Sequence, residues 1–454
     1  MGGMIRRSLR SEIEKNMKLK GFTISKLSEL TGINSGTLST IFNGKPPRPM
    51  TIRQLDQLAI AFGHEPGWLY ELYPEECITE DKFSRPRVIP YLTRCAELGR
   101  QDCIRETASR LLENPKNIKI LFSVAEQLFE KGKWKESLPF YLLVIDNEKD
   151  SYANHFVMSQ YRLFRVAEGM NAEEKFKAVI RFEPYRRRLP ENHQLDALLH
   201  LAKICYTLRR WEDVGKYADE LRELATIVYE DELRRRRINK PSELPKTERP
   251  LILYYGQGYL LKAVALKNMG KYEEAKLYTN GYADLSWFEI RDPESEAEVE
   301  KYRLWALANS YTLSMSMGNI EVLPDYLAFL SQNPKEILPG LVTIIKAANE
   351  FDFPIESVLE RFSEDIEGFG NTQGVIEQTH HLHFRYHLAV YLFKKGKYSE
   401  GLDEILRCLA LTNASKDFDY FKSCIGLFWS HLQHASDVQK TIFQRVVDER
   451  SEER

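Results

Sequence analysis

A chain of 454 residues with 43% hydrophobic and 29% charged side chains is too long for one ordinary core and too apolar to be disordered, so two or more packing units are expected. No apolar run approaches the ~18 residues of a membrane helix. The opening Met-Gly-Gly-Met-Ile-Arg-Arg lacks the apolar stretch of a secretory signal, and Arg6 stands where a myristoylation motif needs Ser or Thr, so a soluble cytoplasmic protein is expected.

The net charge of -2 hides an asymmetry. Residues 1–55 hold ten Lys/Arg (Arg6, Arg7, Arg10, Lys15, Lys18, Lys20, Lys26, Lys45, Arg48, Arg53) against three acids (Glu12, Glu14, Glu29), a balance of +7 that leaves -9 for the other 399 residues. A basic head on an acidic body suits a polyanionic partner at one end only. Six cysteines (Cys77, Cys95, Cys103, Cys205, Cys408, Cys424) show no CxxC spacing and no grouping with histidine, which argues against a zinc site or a disulfide framework.

Along the head, Leu9, Ile13, Met17 and Leu19 lie close to helical spacing, and Gly21 ends that helix. Thr23 then caps a short helix burying Leu27 and Leu30, which Gly32 breaks. Asn34 caps a third helix, with Leu38 and Ile41 inward, that stops at Asn43-Gly44. A fourth begins at Thr51 with Ile52, Leu55, Leu58, Ala59 and Phe62 on one face. Pro66 is expected to open a fifth, carrying Trp68, Leu69 and Leu72. Helix, short glycine-bearing turn, helix is the helix-turn-helix arrangement.

The run from Gly21 to Lys45, with Leu27, Gly32, Ile33, Leu38, Ile41, Asn43-Gly44 and later Leu58-Ala59, closely resembles the XRE/phage-repressor (lambda-repressor-like) helix-turn-helix family. The resemblance covers about residues 9–73. It implies that Ser35, Gly36 and Thr40 face base edges in the major groove, while Thr23, Thr37, Asn43 and Lys45 lie near phosphates. Two features depart from the family. Ile24 replaces a polar, phosphate-binding side chain, and the reading positions carry no Gln, Asn or Arg for bidentate base contacts. Specificity is therefore expected to lean on DNA shape, on Arg6, Arg7 or Arg10, or on the spacing of two heads.

Beyond Tyr73 a polar stretch with Pro74, Pro86 and Pro90 reads as a linker. The body then repeats one pattern: a small residue, a turn residue seven positions on, an aromatic two further, and a small residue three further. It appears as Ala125, Gly132, Trp134, Ser137; as Ala202, Arg209, Trp211, with Val214 last; as Ala263, Gly270, Tyr272, Ala275; and as Ala389, Gly396, Tyr398, Gly401. Weaker copies centre on Gly99, Gly169, Gly318 and about Asp352. Successive centres lie 33, 37, 40, 61, 48, 34 and 44 residues apart, mostly near the period of helix-turn-helix solenoids. The pattern resembles degenerate tetratricopeptide (TPR) repeats. The longest gap, holding Arg234 to Arg237, reads as a helix extension plus a loop. An aromatic-rich end from Phe418 to about Val447 reads as a capping helical pair.

The fold expected is thus all-α: a five-helix DNA-binding head over residues 1–76, a linker over 77–90, a right-handed TPR superhelix over 91–415, and capping helices over 416–454. Gly256-Gln257-Gly258 lacks the third glycine of a dinucleotide motif and no strand precedes it, so close helix packing is expected. His380, His381, His383 and His387 include pairs at i, i+4 but no accompanying acid, and no metal is expected. Arg186 to Arg188 and Arg234 to Arg237 read as solvated helix ends. With no nucleophile–base or carboxylate pair, neither enzymatic activity nor a cofactor is expected.

An XRE-type head joined to TPR repeats resembles the RRNPP family of peptide-pheromone receptors, which includes virulence, protease, conjugation and phage arbitrium regulators. That resemblance implies a quorum-sensing transcriptional regulator: a cytoplasmic homodimer that binds a (pseudo)palindromic operator and takes a short signalling peptide into the concave groove of its repeats. Family members often hold the peptide backbone with amides on the first helix of a repeat. Aligning the repeats on their turn residues places Gln160, Lys203, Tyr206, Gln257, Asn268, Asn309, Thr312, His383 and Tyr386 on the inner face, with Asn309 and Gln257 foremost. The alternatives are a TPR scaffold acting on a protein partner and a phage-type repressor that needs no peptide.

Overall fold

The computed structural model describes residues 8–79, 82–167, 171–238, 247–290, 293–371, 375–415 and 418–452. It divides into two compact units, Met1–Leu208 and Arg209–Arg454.

The first unit opens with α1 (Leu9–Lys20), α2 (Ile24–Thr31), α3 (Ser35–Asn43) and α4 (Ile52–Ala61). Each start is fixed by a side-chain oxygen that takes an otherwise unpaired backbone N–H: Ser8 for α1, Thr23 for α2, Asn34 for α3 and Thr51 for α4. Ser8 and Thr51 form reciprocal capping boxes with Ser11 and Gln54. Gly21 (φ 65) and Gly32 (φ 69) turn the chain through the left-handed region after α1 and α2, where a side chain would strain the backbone. Ile13, Leu27, Leu38, Ile41, Leu55 and Leu58 close the core.

The fifth helix differs from expectation. It begins at Tyr70, not Pro66, as a 3-10 helix over Tyr70–Cys77. Gly67 (φ 100) and Leu69 (φ 60) hold the preceding backbone out of helical geometry, and Pro74 withholds an N–H inside it. No linker follows either. Strands β1 (Ile78–Thr79) and β2 (Lys82–Phe83) pair antiparallel, with Ile78 opposite Phe83. Helix α5 (Arg85–Glu97) then carries Pro86 in its first turn, where no hydrogen bond is lost. Among the described residues of this stretch Thr79, Lys82, Arg85 and Pro86 are exposed, while Cys77 and Val88 are fully buried. One apolar core runs from Leu9 through Tyr73, Val88 and Tyr91 to Val144. Asp56 of α4 fastens the join, accepting from the Tyr70 hydroxyl at 2.7 Å and from Arg94 Nε of α5 at 3.0 Å.

Helix pairs follow: α5 with α6 (Gln101–Leu112), α7 (Ile118–Glu130) with α8 (Trp134–Asn147), α9 (Asn154–Val166) with α10 (Ala172–Phe182), then α11 (Glu191–Thr207). The second unit begins with the long α12 (Trp211–Arg237) and continues with α13 (Leu251–Asn268) and α14 (Tyr272–Asn280), then α15 (Pro293–Ser316) and α16 (Leu323–Gln332). It goes on through α17 (Pro334–Phe351) and the short α18 (Glu356–Arg361) and α19 (Ser363–Gly368), to α20 (Val375–Lys394) with α21 (Tyr398–Ser415). The chain closes with α22 (Phe418–Ser430) and α23 (Asp437–Glu452).

The repeat pattern marks these turns. Gly99, Gly132, Gly270, Gly318 and Gly396 all stand in left-handed turns between paired helices, and Arg209 (φ 55) and Asp352 (φ 50) adopt the same backbone region without glycine's freedom. Gly169 lies outside the described residues. In the second unit α13 packs on α15, α15 on α17 and α17 on α20, while α14, α16 and α21 pack against α13, α17 and α20. First helices of successive pairs thus form one layer. Gly256 lets α13 approach α15 closely, because a Cβ there would meet the Tyr302 ring at 2.5 Å. The described residues are almost wholly helical, and no helix among them is long and apolar enough to cross a membrane.

Candidate functional site

Helix α3 presents the residues expected to face DNA. Ser35, Gly36 and Thr40 are exposed, Thr37 is half-buried, and Leu38 and Ile41 anchor the opposite side at zero exposure. The Thr40 hydroxyl donates to the Thr37 carbonyl at 2.8 Å. Asn34 Oδ1 accepts from Gly36 N at 2.8 Å, and an alanine Cβ at 36 would press on that oxygen at 3.0 Å. Asn43 is exposed at the last position of the helix and Lys45 just beyond it, and Thr23 is exposed at the start of α2, its Oγ1 occupied in accepting from Lys26 N at 3.2 Å. The start of α3 therefore offers small side chains and free N–H groups, suited to approaching a groove edge and an anionic backbone.

Lys15, Lys18, Lys20, Lys45, Arg48 and Arg53 are exposed on this head. Arg10 is not available to DNA in the way the sequence suggests. Its Nη1 lies 2.7 Å from Glu76 Oε1, its Nε donates to the Ile41 carbonyl at 3.1 Å, and its Nη2 donates to the Arg48 carbonyl at 3.2 Å. Glu76, 5% exposed, also accepts from Met50 N at 2.8 Å. Arg10 thus holds α1, the end of α3 and the 3-10 helix together. Arg6 and Arg7 lie outside the described residues.

The nine residues expected to hold a peptide fall in both units. In the first, Gln160 is buried and accepts from Arg181 Nε at 3.1 Å, while Lys203 and Tyr206 are exposed on α11. In the second, Asn309 Nδ2 donates to the Tyr282 hydroxyl at 2.8 Å, and Gln257 lies on α13, where the Leu253 carbonyl accepts from the Tyr302 hydroxyl at 2.9 Å. Thr312 pairs with the Tyr326 hydroxyl at 3.4 Å, and Asn268 Nδ2 turns back to the Val264 carbonyl at 2.8 Å. His383 stacks on Tyr420 at 4.5 Å, with Tyr386 edge-on to the same ring at 5.3 Å. Several of these polar groups are therefore already engaged in joining helices.

The histidine cluster divides. His381 is buried and accepts from Arg385 Nε at 3.0 Å, and Arg385 in turn pairs with Glu404 at 3.0 Å; burial and the Arg385 charge bring the imidazole down to about 4. His387 is brought down to about 3 by burial and by the charges of Lys346 and His383. Among the described residues no three His, Cys, Asp or Glu side chains gather as metal ligands would. All six cysteines are buried and none is in a disulfide, and burial pushes the Cys77 thiol up to about 12. Arg234 and Arg236 pair with Asp231 and Glu232 along α12, and Arg188 lies over the Tyr152 ring at 3.9 Å.

Sequence reasoning missed Arg10–Glu76, Arg94–Asp56–Tyr70, and the pairing of Arg162 with Glu126 (3.0 Å), whose Oε1 also accepts from Tyr141. These partners are far apart in the chain, and no local pattern marks them.

No curated protein matches the sequence. A solved structure described as a circular tandem repeat protein with novel repeat topology and enhanced subunit contact surfaces aligns with 98% of this chain and 90% of its own. Its identity is 14% and its TM-score 0.17, so it carries no argument about fold or function. Residues 12–75 match the family model of the Cro/C1-type HTH DNA-binding domain. That match coincides with α1 to α4 and the 3-10 helix, and the chain is accordingly one with a Cro/C1-type helix-turn-helix head followed by a body of repeated helix pairs.

Proposed function

We propose that this protein is a transcriptional regulator that binds an operator through α3 and is controlled by a short signalling peptide held on the first-helix layer of its body. The observation that carries the reading is the joining, in one chain, of a Cro/C1-type head to helix pairs whose first helices pack side by side. The exposed α3 face and the basic residues around it support operator binding. The proposed form is a homodimer, since two heads related by a two-fold axis suit a palindromic site. The residues proposed to meet DNA are Thr23, Ser35, Gly36, Thr37, Thr40, Asn43 and Lys45. Of the residues proposed to meet peptide, Gln257, Asn268, Asn309, Thr312, His383 and Tyr386 lie in the second unit and Gln160, Lys203 and Tyr206 in the first.

Titration calorimetry of the full chain with short synthetic peptides from the adjacent reading frame tests the control. Binding that shifts operator affinity supports it. Operator binding indifferent to every such peptide and to culture supernatant contradicts it, and leaves a repressor whose body serves another purpose.

A further inference from the structure

Helices α21 and α22 bring two thiols into contact inside the core at the end of the second unit. Cys408 Sγ and Cys424 Sγ lie 3.2 Å apart, and both residues are at zero exposure. That spacing is shorter than an ordinary van der Waals contact between two sulfur atoms. Cys408 Sγ also lies 3.7 Å from the Leu382 carbonyl of α20, so the pair is seated among three helices. The side chains around it are apolar: Leu382, Leu402, Ile405, Leu409, Phe428 and Phe443 belong to the same core. The two cysteines are 16 residues apart in the chain, so no CxxC spacing announces them. Among the described residues no third His, Cys, Asp or Glu joins them as a metal site would require.

A disulfide joins its sulfur atoms at about 2.0 Å, so from 3.2 Å the two Sγ atoms need close by only about 1.2 Å, within the reach of small side-chain rotations. Two thiols held this close make the bond-forming step intramolecular, which favours it strongly over reaction with a thiol in solution. Access comes from α22. It packs on α21, while Lys422, Ser423, Gly426, Trp429 and Ser430 along it are exposed, and a Cβ at Gly426 would meet nothing within 4 Å. A helix with a wide solvated side loosens more readily than one enclosed in the core, and such loosening admits a small oxidant.

We infer that Cys408 and Cys424 are a modification site, at which a hydroperoxide forms an intramolecular disulfide that locks α22 onto α21. With hydrogen peroxide, one sulfur, as thiolate, attacks a peroxide oxygen. The O–O bond breaks, a sulfenic acid forms, and the hydroxide that leaves takes the proton the thiol had lost. The neighbouring sulfur then attacks the sulfenic sulfur: the S–S bond forms, the S–O bond breaks, and the second hydroxide leaves with that thiol's proton. The two thiols together lose two electrons, and the peroxide gains them and becomes two waters. A thiol reductant reverses the bond by exchange. The link closes a short loop of chain, which restricts the unfolded state, and it holds in place the helix whose Tyr420 stacks on His383 of α20. The site does not rest on the peptide reading.

The test uses the full chain, fully reduced and then exposed to a small excess of hydrogen peroxide at neutral pH. Peptide mapping by mass spectrometry without reductant should find the peptide holding Cys408 joined to the one holding Cys424, lighter than their sum by the hydrogens lost. Dithiothreitol should separate them. The oxidised protein should unfold about 5 °C or more above the reduced one, the shift expected of a staple closing a short loop. Cys424→Ala should abolish both the link and the peroxide-dependent rise. Should that variant fail to fold, the wild-type map and its reversal by dithiothreitol decide the matter. Residues 408 and 424 that survive peroxide as thiols, or that pass to sulfinic or sulfonic acid without joining, overturn the site. A link that forms while the unfolding temperature stays the same overturns the lock.

Discussion

On α3, Ser35, Gly36 and Thr40 stand exposed, and Thr40 is bonded to its own helix, whereas on α15 Asn309 and Thr312 are bonded to tyrosines of neighbouring elements. The two regions carry polar side chains for different ends. A solvated face can meet a new partner without giving up internal bonds. A side chain already paired must first break a bond worth about 0.5–1.5 kcal/mol net, so its polarity alone is weak evidence for a ligand.

The largest expected effect separates structure from contact within the head. Glu76→Ala leaves Arg10 without its buried partner and should cost about 3–5 kcal/mol in chemical denaturation. A cost under about 1 kcal/mol would return Arg10 to the surface and to DNA. Next, Gly256→Leu drives a side chain into Tyr302, and thermal unfolding should show a loss of about 1–3 kcal/mol. Asn309→Ala should lower stability by about 1 kcal/mol through the lost Tyr282 bond. Unchanged stability with lost peptide binding would instead make Asn309 a contact residue.

Acid should weaken the second unit. His381 and His387 have folded-state pKa values of about 4 and about 3, below the ordinary 6.5, so protonation favours the unfolded chain. Their contribution is complete above pH 6.5 and is lost as pH falls towards those values. Unfolding temperatures of the wild type and His387→Gln, compared at pH 7 and pH 5, check this: the variant should lose less on acidification. Smallest is Lys45→Ala, which should weaken binding to all duplexes alike and reduce the slope of log affinity against log salt by about 0.9. No change in slope removes Lys45 from the phosphate contacts.

Much of this architecture is legible in the sequence because its signals are local. Thr23, Asn34 and Thr51 announce helix starts, Gly21 and Gly32 announce ends, and the repeat pattern locates turns even where Arg209 and Asp352 replace glycine. Residues 77–90 misled for a local reason too. Their prolines read as breaks in structure, although Pro86 in the first turn of α5 forfeits no bond and Pro90 is carried inside that helix. The Arg10–Glu76 and Arg94–Asp56 pairs join residues that only folding brings together, so spacing carries no trace of them. Aligning repeats gives no sign of which of the aligned side chains already have partners, as Asn309 and Thr312 do.

The central claim is that α3 is the surface that binds DNA. It is tested most directly by selecting duplexes from a random pool with the wild-type protein, then measuring fluorescence anisotropy of the best duplex with the wild type and Thr40→Glu. The substitution places a negative charge on an exposed position whose loss leaves the core untouched. Affinity should fall roughly a hundredfold, the equivalent of about 2.7 kcal/mol, with the unfolding temperature unchanged. Equal affinity in the two proteins would contradict the account.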